Sequence, residues 1–517
     1  MLKWVVAVAA MVAVPVTASA QDVEAGAAVF KKCAACHQIG PDAKNGLGPS
    51  LQCVAGKPAG HHEGFSYSEA VKNSGITWDD EHLLKWFEKD DAVIKGNKMI
   101  FPAGIKNEEL QEQEVSEQLD FVPAKLNVIE HVRLTYACRH CEQQVAEHGP
   151  QIVTAARPLS PIEKGLAAPG LLAYVIVSKY GDHLPLHRLE RILQRHGVAI
   201  ARSTMCDWMA QCAALLRPLH EHMIREVRAS NVICTDDTPV DVLDRRRGKT
   251  RLGRFWVYVG DVNHPFTVFT YTPSRSRDGP REFLKNWSGF LQADAFGGYD
   301  GIYAGEAGGA VTEVACWAHA RRKFYEARTS DAAGSTQALA YIRLLYDVED
   351  EARRRFQSAA GDTRGSRAEG AETLSSLRLA LRQKRAVPLL EQFGQWLRGQ
   401  QASQGGGVLP KSPMGQAITY TLNQWPALNV YTAAGNLAID NNVSENALRR
   451  VAIGRKNWLF CGSDGGGATA AVLFSLIATC QRRNVEPLAY LRDVLTRIAA
   501  QPVSRLDELL PGAATND

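Results

Sequence analysis

The rhythm of apolar and polar positions changes several times along the chain, and each change predicts a different kind of element. Residues 1–20 run from a basic start through an apolar stretch, Val5 to Val16, to small residues at Ala18, Ser19 and Ala20. That stretch is short for a bilayer span and ends as a cleaved secretory signal does, which predicts export to the periplasm. EAGAAVFKK then repeats its apolar positions at helical spacing. NEELQEQEVSEQLDFV offers a weaker helix from Asn107, with sparse apolar positions and a strongly acidic face. LPLHRLERILQRHGVAIARSTMCDWMAQC predicts one helix from about His187, a break at Gly197 and a second helix capped by Ser203. This is helix-turn-helix spacing, which an ordinary helical hairpin fits nearly as well.

From Asn231 the period shortens. NVICTDD, RFWVYVGDV and FTVFTYT read as strands separated by short turns. A helix near Arg281, a strand FLQAD, a helix near Tyr299 and a strand EVACW follow. Hairpin-linked strands followed by alternating helix and strand predict an α/β ribonuclease-H-like core. The stretch between Asp294 and Glu445 is too long for a plain connection and reads as a helical insertion, interrupted at SAAGDTRGSRAEG and QQASQGGG. The fold class is therefore multi-domain: a small all-α domain, a helix-turn-helix region, then the core with its insertion. The boundaries fall at 1–20, 21–110, 111–150, 151–228, 229–330, 331–430, 431–505 and 506–517.

Composition changes this picture little. At 517 residues, 45% apolar and 22% charged, the chain is globular and large enough for several domains. A net charge of +4 does not by itself establish nucleic-acid binding, so any such argument rests on local patches. The eleven cysteines are scattered, which excludes a disulfide scaffold and leaves local pairs.

Three acidic positions carry candidate chemistry. Asp236 and Asp294 close β-like runs, and Glu445 opens a helix in IDNNVSENALRR. Clustered carboxylates stay ionised together only around cations, and two magnesium ions held by such a set could drive phosphodiester displacement. Asp236 and Asp237 face opposite sides of a strand, so only one can serve. Basic turns at Arg321, Arg322 and Lys323, and at Arg449, Arg450, Arg455 and Lys456, border these positions and predict phosphate contacts, as do Arg202, Ser203 and Thr204 at the start of the second helix. DRRRGKTRLGR, placed between the first two strands, is a weaker candidate. Cys316 and His319 lack a second pair and read as core and supporting residues, not as ligands.

Two CxxC pairs differ. Cys33, Cys36 and His37 form CxxCH, the pattern of covalent haem c attachment, and Met99 supplies a sixth ligand. Cys138 and Cys141 have no following histidine and no upstream partner pair. Zinc needs four ligands, so this half site is incomplete unless His131 or His140 joins it.

Residues 22–109 resemble small class I cytochromes c, on CAACH, GLGPSLQCVAGKPAG, FSYSEAVKNSGITWD and KMIFPAG. The resemblance implies electron transfer to a redox partner protein, with Tyr67 and Trp78 against the haem or simply in the core. Cys53 departs from the pattern and reads as a small buried residue. The family's closing helix is missing. Residues from about 112 to 505 resemble the IS66 family of DDE transposases, on SKYGDHLPLHR, DDTPVDVLD, GKTRLGRFWVYVGD, LQADAFGGYDGIY, EVACWAHARRKFYEA, LPKSPMGQAITYTLNQW, IDNNVSENALRRVAIGRKNWLFCGSDGGG and EPLAYLRDVL. That resemblance implies a catalytic triad of Asp236, Asp294 and Glu445, two Mg2+ ions, and cleavage and transfer of DNA. It also implies element ends and target DNA as partners, accessory transposition proteins, and a homo-oligomer on DNA. The family's leading helical segment and first CxxC are absent, so both halves are cut where they meet, as an in-frame recombination would leave them. The alternatives are an exported cytochrome carrying a passenger transposase fragment, or an inactive recombination product.

Overall fold

The computed structural model describes residues 30–99, 125–137, 152–163, 165–361, 373–402 and 407–513. The signal segment, the acidic stretch from Asn107, and Cys138, His140 and Cys141 lie outside the described residues. The chain divides into two compact units, Met1–Pro123 and Ala124–Asp517.

Among its described residues the first unit carries the short helices α1 (Glu69–Lys72), α2 (Asp80–Glu88) and α3 (Asp90–Val93). Ser68 and Asp79 begin α1 and α2 because their side-chain oxygens accept otherwise orphaned N–H groups, from Val71 and His82. Val71, Trp78, Trp86 and Ile94 form the buried apolar cluster, with the two indoles edge to face at 4.9 Å. Cys53 corrects the sequence reading. It sits at φ 51°, in a left-handed turn that directs it outward, and is exposed.

The second unit opens with an antiparallel pair, β1 (Thr135–Ala137) and β2 (Ile152–Thr154). Helices α4 (Pro169–Tyr180), α5 (Leu186–Arg195) and α6 (Arg202–Arg228) follow. Gly197, at φ 81°, supplies the turn between α5 and α6 that other residues adopt at a cost. Ser203 is not the cap of α6: Ala201 holds that position without a side-chain bond, and Arg202 is the first helical residue. From Met205 onward α6 buries one side, through Trp208, Met209, Cys212 and Leu216, so it is a core helix along most of its length.

A mixed sheet follows, with β3 (Val232–Asp244), β4 (Lys249–Val259) and β5 (Thr267–Thr272) antiparallel, and β6 (Gly289–Gln292) and β7 (Val311–Val314) running parallel to β3. The order is β5-β4-β3-β6-β7. The β3–β4 hairpin is longer than its apolar run predicts, so Lys249–Arg254 are strand and only the intervening turn is left as a basic loop. Short helices α7 (Asp278–Phe283) and α8 (Asp300–Tyr303) bridge the later strands. Cys316 and Trp317 leave the strand predicted for EVACW: β7 ends at Val314, and α9 (Trp317–Ala327) begins with Cys316 as its cap residue.

The insertion is helical, comprising α10 (Ala332–Gly361), α11 (Leu374–Leu381), α12 (Val387–Ala402), α13 (Pro413–Asn423) and α14 (Trp425–Asn429). A π-helical turn, Arg382–Ala386, joins α11 to α12. Its Arg382 is fully buried and forms a two-pronged pair with Glu349 at 2.7 and 2.8 Å. The same guanidinium donates to the carbonyls of Tyr431, Ala434 and Leu437, which fixes the segment leading to α15 (Asn442–Trp458). Strand β8 (Phe460–Cys461), α16 (Asp464–Arg482) and α17 (Pro487–Arg497) complete the unit. α16 seals the edge of β5: Ser475 and Thr479 accept the N–H groups of Phe269 and Thr267 at 2.7 and 3.0 Å. Among the described residues no helix is long and apolar enough to cross a membrane.

Candidate active site and haem crevice

The site in the second unit lies where β3 loses its neighbour. β6 pairs with Val232–Cys234, and β8 pairs with Asp241 and Val242, so β3 between them has no strand on that side. α15 fills the gap with side chains. Asn441, fully buried, donates to Thr235 O at 2.8 Å, and Arg455 donates to Pro239 O. Backbone carbonyls that lose their ladder need such partners.

Register then levels the carboxylates. Cys234 pairs with Gln292 across parallel strands, so Asp236 and Asp294, each two residues further on, leave the ladder together and on one face. α15 brings Glu445 to the same place in its first turn. The charges of Asp294 and Glu445 both act on Asp236, whose carboxyl is pushed up to about 7, first by burial and then by these neighbours and Asp237; the Asp237 N–H bond opposes the rise. Asp294 is also raised, by burial and by the charge of Asp237, with Arg275 and His319 acting the other way.

The adjacent aspartates have different environments. Asp237 is almost wholly buried and held by Arg254 at 2.6 Å and Arg275 at 2.8 Å. Asp236 has no such pair among the described residues; its Oδ1 accepts the Asp237 N–H at 2.7 Å. Arg275 reaches 4.0 Å from Asp294 Oδ2 and stacks 3.7 Å above the Phe296 ring, so it stands beside the cluster. Asp294 Oδ1 and Glu445 Oε1 are buried with no hydrogen-bond partner. Buried oxygens left this way are costly unless a cation occupies the space between them, so the donor set fits hard divalent ions.

The basic residues divide. Arg321, Arg322 and Lys323 are exposed on α9, and Arg449 and Lys456 are exposed on α15. On α15, Arg449 and Lys456 share the face of Glu445, being four and eleven residues further along. Arg455 instead spends its guanidinium on Pro239, and Arg450 is partly buried with its charged form disfavoured by desolvation. Arg202 and Ser203 are exposed and Thr204 half-buried; Arg202 lies 3.5 Å from Glu190 of α5. Sequence reasoning missed Asn441, Gln292 and Arg275. Gln292, fully buried, donates to Ala438 O at 2.9 Å and helps hold the segment before α15. The Asn441–Asn442 doublet before a helix signals a cap, but nothing in it names a partner on β3.

In the first unit a crevice of about 860 Å3 is lined by Cys33, Cys36, His37, Tyr67, Trp78 and Met99, among others. His37 Nδ1 lies 2.7 Å from Pro49 O. A carbonyl only accepts, so Nδ1 carries the proton and Nε2 is left for a ligand. A Cβ on Gly48 would come within 2.3 Å of the His37 ring, so glycine alone admits the imidazole there. Burial, with the Cys36 thiol nearby, raises the Cys33 thiol. This donor set and volume fit a covalently attached haem.

Comparison with known proteins covers both units. The Transposase IS66 family model matches residues 164–469, the IS66 C-terminal element matches 475–511, and the zinc-finger binding domain of transposase IS66 matches 104–142. The last match begins before residue 112, so the acidic stretch from Asn107 belongs with the transposase text. The uncharacterized protein y4hP of Sinorhizobium fredii is 32% identical over 416 residues, covering 77% of this chain and 70% of its own. Cytochrome c2 of Rhodoblastus acidophilus is 54% identical over 89 residues, covering 17% of this chain and 82% of its own. The solved cytochrome cH from Methylobacterium extorquens is 37% identical and covers 17% of this chain and 90% of its own, with a TM-score of 0.16. The chain therefore belongs to the IS66 transposase family and is a chimera, its N-terminal segment being a cytochrome c2 homologue.

Proposed function

We propose that the second unit is a DDE transposase with a ribonuclease-H-like core, cutting and joining DNA at Asp236, Asp294 and Glu445. The observation that carries this reading is the convergence of three carboxylates from separate elements, two of them with buried, unpartnered oxygens. Two Mg2+ ions, when held there, would activate a water or 3′-hydroxyl and stabilise the leaving oxygen. Asp236, Asp294 and Glu445 hold and orient that pair. Arg275, paired with Asp237, adds positive charge at the edge of the site, where a phosphodiester would lie. Arg449, Lys456 and the exposed α9 cluster Arg321, Arg322 and Lys323 contact DNA phosphates, and Arg202, Ser203 and Thr204 do so from the start of α6. The partners are element ends and target DNA, accessory transposition proteins and further copies of the chain. The test is strand transfer with end-bearing oligonucleotides and Mg2+. Asp294→Asn abolishes product under this reading; undiminished product from that variant would remove the centre from the chemistry.

A second reading is favoured by the crevice of the first unit: an exported haem carrier with a passenger transposase. Cys33 and Cys36 would hold the haem covalently, and His37 and Met99 would supply nitrogen and sulfur donors to its iron. A haem so held supplies a reversible one-electron centre for a redox partner protein. The segment at 104–142 contributes at most Cys138 and Cys141 toward zinc, with His131 or His140 as recruits. The signal at 1–20 directs the chain to the periplasm, whereas transposition needs the cytoplasm. Haem-stained gels of the two fractions, from cells making the chain with a C-terminal tag, separate the readings. A full-length haem-positive periplasmic band favours the carrier, and a haem-free cytoplasmic band favours the transposase.

A further inference from the structure

We propose that His319 is a metal ligand of the carboxylate centre, sharing one ion position with Glu445, so that the centre presents an imidazole nitrogen among its oxygens. The inference rests on the two-ion reading above and specifies the donors of one position.

His319 lies in the first turn of α9, directly after β7. The starts of α9 and α15 are tied together, because Asn441 N–H donates to Cys316 Sγ at 3.2 Å. That bond sets His319 against the first turn of α15, where Glu445 is. His319 Nε2 lies 3.7 Å from Glu445 Oε1. This is too long for a hydrogen bond, which closes to about 3.2 Å or less. It lies between the separations open to two donors of one ion, since bonds of about 2.1 Å separate cis ligands by about 3.0 Å and trans ligands by about 4.2 Å, and a side-chain shift of about 0.7 Å would bring the pair to the cis value.

Two further observations agree. Ligand atoms of Cys316, His319 and Glu445 all lie within 4.8 Å of one another. Glu445 Oε1 and Asp294 Oδ1 are buried without a hydrogen-bond partner, as is the second ring nitrogen of His319. Cys316 is left out of the ligand set because a soft sulfur donor suits neither Mg2+ nor Mn2+; its sulfur accepts the Asn441 N–H, and its part is to position the two helices.

The consequence is metal selectivity. An all-carboxylate centre suits Mg2+, whereas an imidazole donor shifts preference toward transition metals, Mn2+ included. His319→Ala should weaken Mn2+ binding about tenfold, a loss typical of a disturbed ligand set, and change Mg2+ binding by no more than about threefold.

The experiment is electron spin-echo envelope modulation on the full chain with Mn2+, any haem being kept in the diamagnetic ferrous state. The expected spectrum shows 14N modulation that disappears in His319→Ala, persists in Cys316→Ser, and vanishes with the bound Mn2+ itself in Asp294→Asn. The wild-type spectrum is a test independent of how the variants fold. Mn2+ bound at the Asp294-dependent site without 14N modulation, or with modulation surviving in His319→Ala, overturns the His319 assignment and leaves the carboxylate centre standing. Absence of any Asp294-dependent Mn2+ in calorimetry overturns both.

Discussion

Asp236→Asn should stabilise the ion-free fold, and by an amount that grows with pH. The Asp236 carboxyl rises from an ordinary 3.8 to about 7 in the folded chain, led by burial and reinforced by Asp294, Asp237 and Glu445. Between those values the folded state keeps a proton that the unfolded state has released. Stability is therefore lost as pH climbs from about 4 to about 7, and above 7 the full cost of the buried charge is present. At 1.36 kcal/mol per pH unit that cost reaches at most about 4 kcal/mol. Asparagine keeps an oxygen to accept the Asp237 N–H and removes only the charge. The variant should gain about 2–4 kcal/mol over the wild type at pH 8 in chelator, and only about 1 kcal/mol at pH 4.5. Urea unfolding followed by tryptophan fluorescence reads this directly, since Trp256 and Trp317 are fully buried in the second unit. Adding Mg2+ should close most of the gap: a bound ion contributes about 2.7 kcal/mol to the wild type at a hundred times its Kd, and the variant forfeits most of that. Parallel pH profiles for the two proteins in chelator would refute the reasoning, because Asp236 would then not be a destabilised carboxylate.

Other perturbations probe the supports. Arg382→Met leaves Glu349 buried without its main partner and should cost about 3–5 kcal/mol in thermal or chemical unfolding; Glu349→Leu in the same chain should recover part of that loss. Asn441→Ala removes the bond to Thr235 O, so strand transfer should fall at least tenfold while stability drops by only about 1–2 kcal/mol. Gly48→Val forces the His37 ring out of place, and the chain should lose its haem absorbance relative to protein after expression with the haem-attachment machinery. Limited proteolysis of haem-free chain should cut within residues 1–123 well before the second unit, and haem loading should abolish that difference.

Much of the second unit was legible because its signals are local. Strand runs with turn residues between them gave β3 to β6 in nearly their observed places, and Glu445 fell in the first turn of a helix as IDNNVSEN implies. The errors have a common source in contacts between distant parts of the chain. Lys249–Gly253 read as a polar basic loop because their apolar content is low, yet pairing with Val240–Asp244 makes them strand. Ser203 is a good cap by composition, but the helix starts earlier, at Arg202 beside Glu190. Strand alternation stated that Asp236 and Asp237 face opposite ways; the environment of each became visible only when Arg254 and Arg275 were seen to hold Asp237. Arg382 gave no warning at all, since one basic residue among the three of LRQKRAV has the look of a solvated helix face.

The two halves differ in what their folds require. The second unit has two extended apolar cores, one uniting α4, α6, α16 and α17 with the sheet and another filling the insertion. The first has a buried cluster of Val71, Trp78, Trp86 and Ile94 beside a crevice of about 860 Å3. A haem in that crevice, as the cytochrome c2 homology implies, would bury the faces of Tyr67, Trp78 and Met99 that line it and so extend this small core. A ligand that binds only the folded form stabilises it by mass action, and covalent attachment makes the gain permanent. In a compartment that attaches haem, the first unit gains its core. Where none is attached, the second unit still has both of its own, and the proposed carboxylate centre of Asp236, Asp294 and Glu445 is built from residues of that unit.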